Sequence, residues 1–166
     1  MSAWSDPDAW ARARSEEHCG VCRRGVPDDA LAVLESCWVG MPEDGPMRGY
    51  CFLMSRRHAV ELHDLTGHEA AAFVRDARAV SRAVQAVTGA VKMNYEIHGN
   101  TVPHLHMHVF PRYPGDPFEG APIDPRSITA PVYAPGEYAQ MRRRLRDALS
   151  GPDAADAEAH PANGPV

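Results

Sequence analysis

The most regular run of apolar positions lies between residues 66 and 89. Ala70, Phe73, Val74, Ala77, Val80, Val84 and Val87 recur at 3.6-residue spacing, which predicts an amphipathic helix. Thr66, followed three residues later by Glu69, has the layout of a capping box, and Gly89 closes the helix. A second helix is predicted from Gly136 to Leu149, with Tyr138, Met141, Leu145 and Leu149 on its apolar side. Residues 3–17 read as a short polar helix.

Four other segments read as strands. Leu31 to Val39 is an apolar run of strand length, and Gly49 to Ser55 is a second, ending in Arg56-Arg57-His58. Val91 to Ile97 alternates as a strand should, and a Gly99-Asn100 turn leads through Pro103 into a strand over 104–110. Strands on either side of a long helix, most joined by turns, predict an antiparallel α+β domain over residues 1–149. From Ser150 onward Ala, Pro, Gly and Asp dominate without an apolar period, so residues 150–166 are expected to be a disordered tail.

Composition narrows the function classes. The chain has 166 residues and 44% hydrophobic content, enough for one packed core. A formal net charge of -5 argues against a general nucleic-acid binder, and no stretch reaches the roughly 18 apolar residues of a membrane span. The first residues, Met1 to Pro7, lack a signal-peptide layout, so a cytoplasmic location is expected. Cysteines at 19, 22, 37 and 51 are too few for a disulfide framework.

The chemistry concentrates in His104-Leu105-His106-Met107-His108-Val109-Phe110. Strand alternation puts His104, His106 and His108 on one face and Leu105, Met107 and Val109 on the other. Aliphatic residues would pack better than three imidazoles on a purely structural face. Two functional readings fit: a metal site built from histidines spaced by two, or an imidazole nucleophile with its neighbours gripping phosphate oxygens. Cys19-x-x-Cys22 is likewise open to three readings: redox dithiol, half a zinc site, or core cysteines. Gly25 and Pro27 follow closely, so no helix is expected there, which weakens the redox reading.

The segment from Met93 to Tyr113, with Gly99-Asn100-Thr101-Val102-Pro103 before the three histidines and Pro111-Arg112 after them, resembles the histidine-triad (HIT) family of nucleotide hydrolases and transferases. Arg48 to His58 and Leu62-His63-Asp64-Leu65-Thr66 resemble the family's second strand and its lead-in to the long helix. The resemblance spans about residues 17–115. It implies a HIT-like fold with an antiparallel sheet of about five strands, a long helix packed on it, a C-terminal helix and a homodimer in which two sheets join. It also implies that His106 attacks the α-phosphorus of a nucleotide and forms a covalent nucleotidyl-imidazole. His108 would donate to phosphate oxygens, and Asn100 and Thr101 would contact phosphate. An imidazole with a pKa near about 6.5 is substantially neutral at pH 7 and needs no strong base to activate it.

The zinc-containing, dinucleoside-polyphosphate-hydrolase-like branch and the galactose-1-phosphate uridylyltransferases resemble this chain in pairing a Cys-x-x-Cys with two histidines. Carried over by position, the set is Cys19, Cys22, His58 and His104, a closed structural zinc site, with His63 as the alternative to His58. That assignment separates the roles: His104 for metal, His106 for attack, His108 for phosphate.

Other residues read more plainly. His98, just before the Gly-Asn turn, could reach the substrate but better fits an exposed loop histidine, and Arg112 either contacts a distal phosphate or lies on the surface because Pro111 redirects the chain. Asn94 and Glu96 form a polar strand face, Trp38 and Tyr50 fit core packing, and Asp116 and Glu119 fit a solvated loop. His160 falls in the tail. The expected substrate is a dinucleoside polyphosphate, nucleotide sugar or nucleoside phosphoramidate. A nucleotide-binding regulatory module and a His₃-metal hydrolase are the rival functions.

Overall fold

The computed structural model describes residues 3–151, so nearly all of the expected tail, His160 included, lies outside the described residues. In chain order the elements are α1 (Pro7–Arg14), α2 (Gly20–Arg24), β1 (Ala32–Val33), β2 (Cys37–Gly40), β3 (Cys51–Ser55), α3 (Gly67–Thr88), β4 (Lys92–Glu96), β5 (His106–Arg112) and α4 (Glu137–Ser150). The strands form one antiparallel sheet in the order β1-β2-β3-β5-β4, giving the α+β architecture that the pattern predicts.

The capping box forms as expected. The Thr66 hydroxyl accepts from the Glu69 amide, and the Glu69 carboxylate accepts from the Thr66 amide at 2.8 Å. Gly89 ends α3 at φ 73°, a left-handed conformation that side chains disfavour. Phe73, Ala77, Val80 and Val84 pack with Val39, Leu53 and Val109 of the sheet and with Met141 and Leu145 of α4. One face of the sheet is thus covered by α3 and α4. Val74 departs from the expected stripe and is 48% exposed, because one step along a helix turns the side chain by roughly 100° from Phe73.

Three further departures have local causes. The run 31–39 is not one strand but a hairpin of β1 and β2, closed by a Leu34 amide bond to the Cys37 carbonyl at 2.8 Å. Buried Asp76 of α3 pins this turn, accepting from the Ser36 amide at 2.7 Å and the Ser36 hydroxyl at 2.6 Å. Splitting that run supplies the fifth strand. Next, a helix does form after Cys19: α2 winds from Gly20 to Arg24 with Cys19 as its N-cap, and Gly25 stops it at φ 67°. The helical residues precede the breakers, so Gly25 and Pro27 limit the helix without forbidding it.

Third, Pro111 does not redirect the chain. The Arg112 carbonyl accepts from the Val91 amide, so it turns toward β4. The Pro111 nitrogen then faces the other side, where pairing with β3 has already ended at Val109. β5 therefore runs on to Arg112, which is 8% exposed. Its guanidinium grips Asp116 through two bonds of 2.9 Å and also donates to the Phe118 and Ala121 carbonyls. Asp116 is thus a buried anchor for the loop after the triad strand, and the solvated-loop reading of it is corrected. Glu119 accepts from the Gly115 amide at 2.6 Å in the same loop.

Among the described residues, no helix is long and apolar enough to cross a membrane.

The Arg112 guanidinium beside Asp116 holds its carboxyl at about 2, against 3.8 for an ordinary one. The ionised pair stabilises the fold above about pH 4, and that contribution is lost as the pH falls through about 2. Asp116→Asn is expected to lower the unfolding free energy by about 2 kcal/mol at pH 7 and to have no effect near pH 2. Urea denaturation of both proteins across that range measures the difference.

Candidate active site and metal centre

Side chains alternate along each strand, so the sheet separates two kinds of chemistry. Leu105, Met107 and Val109 join the core beneath α3 and α4. His106 and His108 take the opposite face, paired across β3 with Met54 and Phe52. Phe52 in turn lies over Gly40 of β2, where an added β-carbon would sit 2.1 Å from the phenyl ring. The glycine makes room for the aromatic ring that walls the histidines on that side.

His104, just before β5, is only 1% exposed, and its ring nitrogens meet the Cys19 and Cys22 sulfurs and the Ser55 carbonyl. Its Nδ1 is 3.4 Å from Cys19 Sγ and 3.6 Å from Cys22 Sγ, and His58 Nδ1 is 3.3 Å from Cys22 Sγ. The Nε2 atoms of both rings meet backbone carbonyls at 2.8 Å, Ser55 for His104 and Arg14 for His58. A carbonyl only accepts, so each Nε2 carries the hydrogen and each Nδ1 offers its lone pair to the sulfurs. The four ligand atoms lie within 4.8 Å of one another.

These distances fit a tetrahedral metal. Bonds of about 2.3 Å to sulfur and about 2.0–2.1 Å to nitrogen give sulfur–nitrogen edges of about 3.6 Å at tetrahedral angles. Carbonyls fixing the far nitrogens are the outer-shell partners that histidine ligands normally have. Burial and the neighbouring Cys19 push the Cys22 thiol up to about 11, so this sulfur keeps its proton unless a cation displaces it. His63, the alternative ligand, is exposed beside Asp64 and outside the cluster.

The half of the face that carries His106 and His108 is built differently. His106 Nδ1 is 2.7 Å from the His104 carbonyl oxygen, so Nδ1 donates and the neutral ring keeps its lone pair on Nε2. The half-buried ring faces His108 edge-on, with centroids 5.0 Å apart. His108 is stacked against Tyr50 and Phe110, and its Nδ1 is 2.6 Å from the Tyr50 hydroxyl. Burial above all, with His106 and His98 nearby, pushes the His108 ring down to about 4, so it is neutral at pH 7.

Asn100 and Thr101 are exposed in the loop entering β5, and the structure brings neither to the imidazoles by a hydrogen bond. Trp38 is buried beside His104, as core packing predicts. Tyr50 is buried too, but its hydroxyl is a functional contact that sequence reasoning missed. The signal was its alternation with Phe52 and Met54, which places it on the histidine face once β3 pairs with β5. His98 is exposed yet stands 5.8 Å from His108, ring to ring.

The sequence matches the HIT domain family over residues 24–115, more than half of the chain. The chain belongs to the HIT family. Solved HIT structures are similar to it over most of their length. A histidine triad protein from Bradyrhizobium japonicum shares 28% identity at a TM-score of 0.64, covering 72% of this chain and 89% of that one. One from Marinobacter aquaeolei shares 27% at 0.63, covering 72% and 87%. A zinc-bound histidine triad family protein from Mycobacterium smegmatis, at 22% identity and a TM-score of 0.62, covers 86% and 100% and supports the fold. No curated protein matches the chain. HIT proteins are generally nucleotide-binding hydrolases or transferases, although some are non-catalytic.

A neutral His108 has a measurable consequence. The unfolded chain takes up a proton near 6.5 and the folded ring near 4, so the fold loses stability as the pH falls between them. Imidazole nitrogen shifts recorded by NMR from pH 8 to pH 5 should show no titration of His108.

Proposed function

We propose that this HIT protein is a nucleotide hydrolase or nucleotidyltransferase acting on the α-phosphate of a dinucleoside polyphosphate or related nucleotide. The observation that carries this reading is the Nδ1 hydrogen bond of His106 to the His104 carbonyl, which leaves Nε2 as the lone-pair nitrogen with no partner among the described residues. That nitrogen attacks phosphorus, and the bond to the leaving group breaks. A covalent nucleotidyl-His106 results, which water or a second acceptor resolves. His108, neutral and held by Tyr50, donates to the phosphoryl oxygens as charge develops on them. Asn100 and Thr101, exposed in the loop entering β5, are the further groups we assign to phosphate contact.

Zinc is the metal we assign to Cys19, Cys22, His58 and His104, because two thiolates and two imidazoles at tetrahedral spacing suit it. When bound, it holds the strand entry that carries the nucleophile. The same geometry disfavours a His₃-metal hydrolase. His104 spends one nitrogen on the sulfur cluster and the other on Ser55, leaving none to share with His106 and His108. A regulatory nucleotide-binding module remains the second reading, because some HIT proteins are non-catalytic. We place the protein in the cytoplasm, where its four free thiols would stay reduced. A homodimer joined along the β4 edge would cover Val91 and Tyr95, which are 64% and 52% exposed.

His106→Ala is expected to lower turnover by at least about a thousandfold while nucleotide affinity changes only severalfold. Intact mass after rapid mixing with substrate should show a nucleotidyl adduct on the unaltered protein alone. Undiminished hydrolysis by His106→Ala would overturn the reading.

Elemental analysis is expected to find one zinc per chain and almost none in Cys22→Ser. Metal-free protein with full stability and activity would reject the zinc site.

A further inference from the structure

One more imidazole stands on the histidine face without a role in that chemistry. His98 lies just past the end of β4, and its Nε2 is 2.9 Å from Glu96 Oε2. Glu96 is the residue paired with His108 across β4 and β5. The His98 ring is 5.8 Å from that of His108, little more than the 5.0 Å between His108 and His106. Its side chain is 51% exposed, against 20% for Glu96, so a partly sheltered carboxylate holds a ring at the open rim. With Nε2 on Glu96, Nδ1 has no partner among the described residues.

Departure of a basic leaving atom needs a proton source, and the other groups on this face are poor ones. His108 is held at about 4 by burial above all, with His106 and His98 nearby, so at neutral pH it has no acidic proton to give. The phenol of Tyr50 is pushed well above its ordinary value by burial. The Nδ1 hydrogen of His106 is committed to the His104 carbonyl.

We infer that His98 is the general acid that protonates the leaving group, with Glu96 as its positioning residue. The inference rests on His106 being the nucleophile. In the first step the bond from His106 Nε2 to phosphorus forms and the bond from phosphorus to the leaving atom breaks. The electron pair of that bond stays on the leaving atom, which takes the Nδ1 proton of the His98 imidazolium. In the second step the water oxygen bonds to phosphorus while neutral His98 accepts one of its protons. The phosphorus–nitrogen bond then breaks, its electron pair returns to His106 Nε2, and the nucleoside monophosphate departs. An acid at the rim favours substrates whose leaving atom must gain a proton, such as the amine of a nucleoside phosphoramidate.

Two substrates with the same nucleotidyl group separate this role from a structural one. Adenosine 5′-phosphoramidate has a leaving nitrogen that must be protonated, whereas the p-nitrophenyl ester of adenosine 5′-phosphate releases a stable phenolate. His98→Gln is expected to lower kcat on the phosphoramidate by about a hundredfold or more. Its loss on the aryl ester should be at least about tenfold smaller, because that step asks little of an acid. Glu96→Gln should shift the ratio in the same direction by a smaller factor. Equal losses on both substrates, or no loss on either, would overturn the role of His98 and leave His106 as nucleophile intact. If the unaltered protein turns over neither substrate and forms no nucleotidyl adduct, the functional reading fails and this inference with it.

Discussion

Three hydrogen-bonding groups of a single residue, His104, tie the functional face together. Its Nδ1 faces the cysteine sulfurs, its Nε2 is fixed on the Ser55 carbonyl, and its own carbonyl oxygen receives the Nδ1 hydrogen of His106. The first contact joins His104 to the Cys/His cluster, the second sets the tautomer that makes this possible, and the third sets the tautomer of His106. The candidate metal centre and the candidate active site are therefore adjacent parts of one backbone segment. Rigidity at His104 passes to His106 through a short chain of covalent bonds and one hydrogen bond, with no side-chain packing in between.

The reactive half depends on the same economy. His106 needs a lone pair on one nitrogen and a hydrogen on the other, and a backbone carbonyl arranges that without a neighbouring acid or base. His108 needs to stay neutral among other imidazoles, and burial against Tyr50 and Phe110 achieves it. Here a low-dielectric wall does more than a charged partner would, since a carboxylate in place of Tyr50 would favour the imidazolium.

Much of this was legible in the sequence where the relevant spacing is short. The two-residue period separates histidines from core aliphatics, and the Thr66–Glu69 box and Gly89 frame the long helix within a residue or so of its ends. The pairing of Cys19 and Cys22 with His58 and His104 came through family resemblance, since nothing local links residues 36 to 85 positions apart. What stayed hidden depends on similarly distant partners. Asp76 looks like a surface helix acid until Ser36 meets it, and Tyr50 looks like core until β3 lies beside β5. His98 looks like a loop residue until Glu96 is placed opposite His108. Arg112 and Asp116 are close in sequence, yet their burial follows from a strand continuing through Pro111, which local rules disfavour.

The alternation along β5 also limits how the gene can vary in length. Inserting or deleting one residue between His104 and Phe110 would exchange the two faces, sending imidazoles into the aliphatic core and Met107 and Val109 to the substrate side. No adjustment elsewhere could restore both. The loop between Tyr113 and Gly136 has no such parity, because its anchors at Asp116, Phe118 and Ile123 bind through individual side chains rather than a strand register. Lineages of this protein should therefore hold the triad segment at constant length while the following loop lengthens and shortens.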